Sequence, residues 1–202
     1  MGEEKRRHTS TKKGVDRDRI ARAVYEILDA IGEDPEREGL VDTPARVAEA
    51  YAYLFSGLSE DPARHLKSAF DVEARDLVLV RDLPVSSMCE HHLLPATGKA
   101  HVGYVPDGRV AGFSELARLV DDYSRRPQLQ ERLTAQVADV VYEGLGASGA
   151  IVVVEAAHAC MAMRHAETTG SVAVTSAVRG IFEKDDARRG EALSLIYRGN
   201  RA

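Results

Sequence analysis

Only two cysteines, Cys89 and Cys160, occur in this 202-residue chain. Two thiols are too few for a disulfide-stapled secreted scaffold, and they point to a reducing, cytoplasmic compartment. No apolar run approaches the ~20 residues that a membrane helix needs, so a membrane partner is not expected. Residues 1–14 are rich in Lys, Arg, Ser and Thr and lack the apolar stretch of a secretory signal, which leaves a disordered N-terminal tail as the expectation there. An excess of positive charge is also missing. The net charge of −5 argues against a broad nucleic-acid surface. There is no internal repeat.

What is present is ordinary for a folded soluble domain: 44% apolar and 29% charged residues. The length suits one domain with a sizeable core and a small helical appendage. We expect a helical region over 15–68 and a catalytic domain over 69–202.

Ile20, Val24, Ile27, Leu28 and Ile31 recur at helical spacing and predict a helix over 16–32. Thr43-Pro44 reads as N-cap and first residue of a second helix, which stops at Gly57. From about residue 75 the pattern changes. Leu77 to Val80 is strand-like, with Pro84 ending the clean ladder. Ala100 to Val105 and Arg109 to Phe113 are further strands around a turn at Pro106-Asp107-Gly108. Ser114 reads as the N-cap of a helix through Tyr123, and Pro127 as the start of another through Glu143. Gly149 to Ala157 begins a long strand pair reaching Phe182, and a short helix over 186–197 ends the chain. Strands, two helices, then strands indicate an α+β fold rather than a doubly wound sheet.

The chemistry concentrates in Cys89-Glu90-His91-His92 and in Glu155-Ala156-Ala157-His158-Ala159-Cys160. Cys-x-x-His brings a thiolate and an imidazole within reach of one ion, and Cys160 can complete the set. Two sulfurs and one nitrogen suit Zn²⁺, and three protein ligands leave a fourth position for water, as in catalytic rather than structural sites. The alternatives are that both thiols are small core residues, or that they form a disulfide after metal loss. His65 is expected to be solvated in a polar connection, and His101 to be a strand residue. If 155–164 is extended, His158, Cys160, Ala162 and Arg164 share one face, with Met161 and Met163 directed into the core. Ile181 and Phe182 also read as core.

These segments, together with Thr43-Pro44-Ala45-Arg46-Val47-Ala48, Gly98-Lys99-Ala100, Gly112-Phe113-Ser114, Gln128-Leu129-Gln130-Glu131-Arg132-Leu133-Thr134 and Thr175-Ser176, resemble the GTP cyclohydrolase I family from about residue 16 onward. Each tripeptide is weak alone, but the ordered set is specific. The resemblance implies a T-fold, an antiparallel sheet backed by two helices, assembled into a barrel-like toroidal homodecamer with active sites between subunits. It implies Cys89, His92 and Cys160 as zinc ligands and His91 and His158 as catalytic histidines. It places Glu131 on the guanine edge, Gln130 near the ribose, and Ser114, Arg118 and Arg164 at a triphosphate, with Arg46 at its rim. The implied reaction opens the imidazole ring of GTP at C8, releases formate and closes a dihydropterin.

The chain also departs from the family pattern. Glu49 and Glu115 stand where some members carry lysines at the triphosphate, and His165 follows Arg164 in place of a usual glycine. At ~4 Å and an effective dielectric of ~20, replacing a cation with an anion beside a phosphate changes the interaction by several kcal/mol before screening. Besides GTP, a less phosphorylated guanine-type purine therefore remains open as substrate, as does a reaction that stops after ring opening or deformylation. A third possibility is a non-catalytic T-fold module that keeps zinc structurally, and a fourth is a nucleophilic-cysteine enzyme.

Overall fold

The computed structural model describes residues 14–164, 167 and 170–198. The expected N-terminal tail, apart from Gly14, and the His165 departure lie outside the described residues. The chain divides into two compact units between Ser59 and Glu60.

The first unit holds α1 (Arg17–Ala30) and α2 (Thr43–Leu54), followed by a 3-10 turn over Ser56–Ser59. Asp16 caps α1 by accepting from the Arg19 N–H. Asp42 precedes α2, so Thr43 is already helical, with Pro44 in the first turn where its missing N–H is harmless. Glu49 of α2 accepts from Arg17 Nε of α1 at 2.6 Å, and Arg46 pairs with Asp42 at 3.0 Å.

The second unit begins with a 3-10 turn over Pro62–Leu66. Then come β1 (Phe70–Asp71), β2 (Val78–Cys89), β3 (Pro95–Val105), β4 (Arg109–Val110) and α3 (Phe113–Ser124). They are followed by β5 (Pro127–Gln128), α4 (Gln130–Leu145), β6 (Gly149–His158), α5 (Ala159–Ala162), β7 (Ala173–Gly180), α6 (Ile181–Lys184) and α7 (Asp186–Tyr197). The main sheet has the order β5-β2-β3-β6-β7, antiparallel except where β5 joins β2, and β1 pairs with β4 separately. The interior strand β6 is buried from Gly149 to Val154, which explains its unbroken apolar run. Val152 and Val154 pack with Val102 and Tyr104 against Leu116, Val120, Leu133 and Val137 of α3 and α4. Ile151 points the other way and packs with Phe182 and Ala192 beneath α7. A mixed sheet backed by helices is the α+β arrangement that the sequence implies.

Several local expectations are corrected. Pro84 does not end the β2 ladder but pairs with Lys99 within a twelve-residue strand. The register shifts between Val80 and Leu83, where Asp82 has φ 58°, and β5 covers only Met88 and Cys89. Next to a bulge and a largely free edge, a residue without an N–H is tolerated. Pro127 starts no helix: the Gln128 carbonyl accepts from the Glu90 N–H, which keeps this segment on the sheet until Gln130. Gly112 rather than Ser114 caps α3, because its carbonyl accepts from Glu115 and Leu116. The cap position is filled two residues early, and the Ser114 hydroxyl is left for other partners.

The most consequential correction concerns 155–164. The strand stops at His158, and Met163 N–H returns to the Ala159 carbonyl at 3.0 Å, closing a helical turn. His158, Cys160, Ala162 and Arg164 therefore do not share a strand face. Met161 and Met163 are 41% and 76% exposed in the chain, not core. Nor is His65 solvated: its side chain is 10% exposed and both ring nitrogens meet carboxylates, Glu115 at 3.1 Å and Asp122 at 2.9 Å.

Candidate metal centre

Between β2 and β3 the chain reverses in a tight turn. Cys89 donates its N–H to the Leu94 carbonyl at 2.9 Å and accepts from Leu93 N–H at 2.8 Å. Leu93 pays for this closure with φ 51°, a left-handed conformation that a bulky residue seldom adopts. The turn folds His92 back until its Nδ1 lies 3.8 Å from Cys89 Sγ. From the other side, the helical turn after β6 delivers Cys160. One donor atom from each of Cys89, His92 and Cys160 then lies within 4.8 Å of the others.

The donor set fits zinc. Two thiolates ~2.3 Å from a tetrahedral ion stand roughly 3.8 Å apart, so the spacing requires little closure. Cys89 is buried and Cys160 half-buried. Burial, and then the hydrogen bond to Cys89, push the Cys160 thiol above its ordinary range. The Arg164 guanidinium lies 2.7 Å from His92 Nε2.

His158, at the end of β6, lies with Nε2 2.7 Å from Gln130 Oε1. The Gln130 amide is fixed, because its Nε2 donates among Val154 O (3.0 Å), Ala173 O (2.9 Å) and Thr175 Oγ1 (3.2 Å). Its oxygen must therefore face His158, whose Nε2 carries the hydrogen. Cys89, Gln130 and His158 line one small cavity together with Ser87 and Gln128. His91 is exposed, its ring 6.2 Å from that of His92 and steeply inclined to it.

The remaining candidates are distributed. Glu131 is exposed in the first turn of α4, next to Gln130. Ser114 and Arg118 are one turn apart on α3 and both exposed. Arg118 donates to Glu115, whose other oxygen faces His65 Nδ1. Arg46 belongs to the N-terminal unit. The structure thus gathers Cys89, His92, Cys160 and Arg164 into one cluster and ties His158 to Gln130, whose amide was expected near a ribose.

Two pairings escaped the sequence. His65 with Glu115 and Asp122 joins residues 50 and 57 positions apart. Glu90 with Arg132 joins residues 42 apart. Charged residues at such separations leave no periodic signal; only the position of Glu90 between Cys89 and His91 marks it.

A largely antiparallel sheet backed by helices, with Cys89, His92 and Cys160 grouped where they could hold a metal ion, is consistent with a T-fold chain. A profile of the GTP cyclohydrolase I family matches residues 20–197, and the chain belongs to that family. It is 58% identical over 184 residues to a protein of Clostridioides difficile named GTP cyclohydrolase 1, covering 90% of this chain and 97% of the relative. A protein of Carboxydothermus hydrogenoformans with the same name is 56% identical, covering 90% and 95%. One from Mycolicibacterium gilvum is 55% identical over 192 residues, covering 94% and 95%. The chain is accordingly a hydrolase of the GTP cyclohydrolase I type. Among the described residues no helix is long and apolar enough to cross a membrane.

Proposed function

We propose that this chain converts GTP and water to formate and 7,8-dihydroneopterin triphosphate, with Zn²⁺ held by Cys89, His92 and Cys160. The observation that carries the proposal is the convergence of those three donor atoms within 4.8 Å, with His158 fixed by Gln130 in the same wall. A zinc ion bound there supplies Lewis acidity that activates water near neutral pH.

The protein's own residues do the rest. With Nε2–H committed to Gln130, His158 exchanges its proton at Nδ1, where it protonates the purine nitrogen as C8 is attacked. His91, exposed on the neighbouring turn, is a second proton carrier. Glu131 accepts hydrogen bonds from the ring N–H and exocyclic amine of guanine. Ser114, Arg118 and Arg164 bind the triphosphate, and Arg46 is assigned to its rim. Ring opening takes one water and deformylation a second. Closure of the rearranged ribose onto the exposed amine returns one, so the net reaction consumes a single water.

Glu49 and Glu115 do not redirect the substrate. Each carboxylate is engaged, Glu49 by Arg17 and Glu115 by His65 and Arg118, so its charge is compensated within the chain. We further assign a cytoplasmic, homodecameric protein with sites completed between subunits. The test is a zinc-replete assay on GTP, GMP, guanosine and guanine that follows formate and pterin fluorescence together. Pterin formed mainly from GTP is expected; ring opening of a phosphate-poor purine with GTP ignored would overturn the substrate.

A further inference from the structure

Glu90 occupies the position between Cys89 and His91. Its N–H donates to the Gln128 carbonyl at 3.1 Å, and its carboxylate receives both arms of one guanidinium. Arg132 Nη1 lies 2.5 Å from Oε2, and Nη2 lies 3.2 Å from Oε1. Arg132 belongs to the first turn of α4, one residue after Glu131 and two after Gln130, the residue that holds His158. A single two-pronged ion pair therefore ties the turn carrying two metal donors to the helix start carrying the guanine-edge carboxylate and the histidine's anchor.

The side chains are 45% and 28% exposed, and an ion pair so placed adds little to stability. Its geometry is the informative part. A bidentate guanidinium–carboxylate pair fixes angle as well as distance, which an ammonium cannot do. The turn it restrains contains Leu93 at φ 51°, a conformation that persists only when surrounding contacts enforce it.

We propose that Glu90 and Arg132 are positioning residues that set the spacing between the Cys89–His92 turn and the start of α4, without touching substrate themselves. The assignment rests on the function proposed above, because it takes the metal donors and the α4 residues to act on one substrate.

The test uses the full-length, metal-loaded protein and the variants Glu90→Gln, Arg132→Gln, Arg132→Lys and the double Glu90→Gln/Arg132→Gln. Each single Gln variant is expected to lower kcat by roughly 10- to 100-fold, the cost of small misplacements in an active site. KM for GTP should change less than about threefold and Tm by no more than about 2 °C, because little stability resides in the pair. The double variant should be no worse than the poorer single, since both remove one interaction. Arg132→Lys should recover only part of the activity, because it retains the charge without the fork. Substitution with Co²⁺ gives a readout independent of turnover: the visible ligand-field bands of the Gln variants should shift or broaden relative to the parent. Single variants within twofold of the parent kcat with unchanged Co²⁺ bands would overturn the proposal, as would multiplicative losses in the double variant. Losses that merely follow Tm would do the same. A parent protein that releases no formate from GTP would instead defeat the functional assignment, and the Co²⁺ spectra would still decide the clamp.

Discussion

His158 Nε2 lies 2.7 Å from Gln130 Oε1, and the other end of the Gln130 amide is committed to Val154, Ala173 and Thr175. A glutamine only 8% exposed thus binds β6 and β7 together and orients the histidine at the strand end. Gln130→Leu keeps the bulk but removes both functions. Two backbone carbonyls lose a donor, so we expect a stability loss of about 1–3 kcal/mol by urea denaturation. We also expect kcat to fall roughly 10-fold or more as the imidazole loses its orientation, a typical cost of removing a supporting hydrogen bond. Unchanged turnover would mean that His158 needs no anchor.

The three donor atoms within 4.8 Å make a prediction about metal removal. Chelation should abolish turnover and leave two thiols facing each other. Mild oxidation of the stripped protein should then form a Cys89–Cys160 disulfide, seen as loss of both titratable thiols and a mass decrease of about two hydrogens. The zinc-loaded protein should resist. Because burial and Cys89 hold the Cys160 thiol above its ordinary range, alkylation at Cys160 in the stripped protein should be slow at neutral pH. Its rate should climb only at strongly alkaline pH, where the thiolate forms. Rapid alkylation at pH 7 would contradict that environment.

Glu115 offers a test of its own. It accepts from His65 Nδ1 at 3.1 Å and from Arg118, while the other His65 nitrogen faces Asp122 at 2.9 Å. The two carboxylates thus face the two ring nitrogens of one imidazole, and Arg118 closes the network at Glu115. Glu115→Lys would set a cation against Arg118 and remove the acceptor that faces His65. We expect a loss of about 1–2 kcal/mol in stability, the usual range for disrupting a partly buried charge network. KM for GTP should not improve. A markedly lower KM with unchanged stability would show that the acid had displaced a working phosphate ligand.

How much of this was legible beforehand follows from physical range. The central strands, α1 and α7 could be read because periodicity and apolar runs are local properties. Cys89 and His92 can be paired because only two residues separate them in one turn. That Cys160 reaches them by a helical turn is not legible, since Ala159-Cys160-Met161-Ala162 carries no stop signal and the preceding apolar run suggests a continuing strand. Pro84 and Pro127 misled for a related reason: proline marks where an N–H is unnecessary, which is a strand edge as readily as a ladder's end or a helix start. His65, Glu90 and Arg132 were silent, because an ion pair across more than forty residues depends on the fold itself.

His101 provides a stability test that does not involve the reaction. It lies on β3, 3% exposed, with Nδ1 accepting from the Asp82 N–H at 3.3 Å beside the bulge in β2. The accepting nitrogen must be unprotonated, and burial depresses the imidazole below its ordinary value of 6.5 despite the nearby Asp82 and Glu155. As pH falls below about 6.5, the unfolded chain takes up a proton at this position before the folded one does. Protons bound preferentially by the unfolded state make stability fall with decreasing pH, and the slope persists down to the depressed folded value. The wild-type protein should therefore lose stability in urea between pH 7 and pH 5.5, and His101→Gln should flatten part of that loss. Glutamine retains an acceptor for the Asp82 N–H but has nothing to titrate. An identical pH slope in the variant would place the acid sensitivity elsewhere.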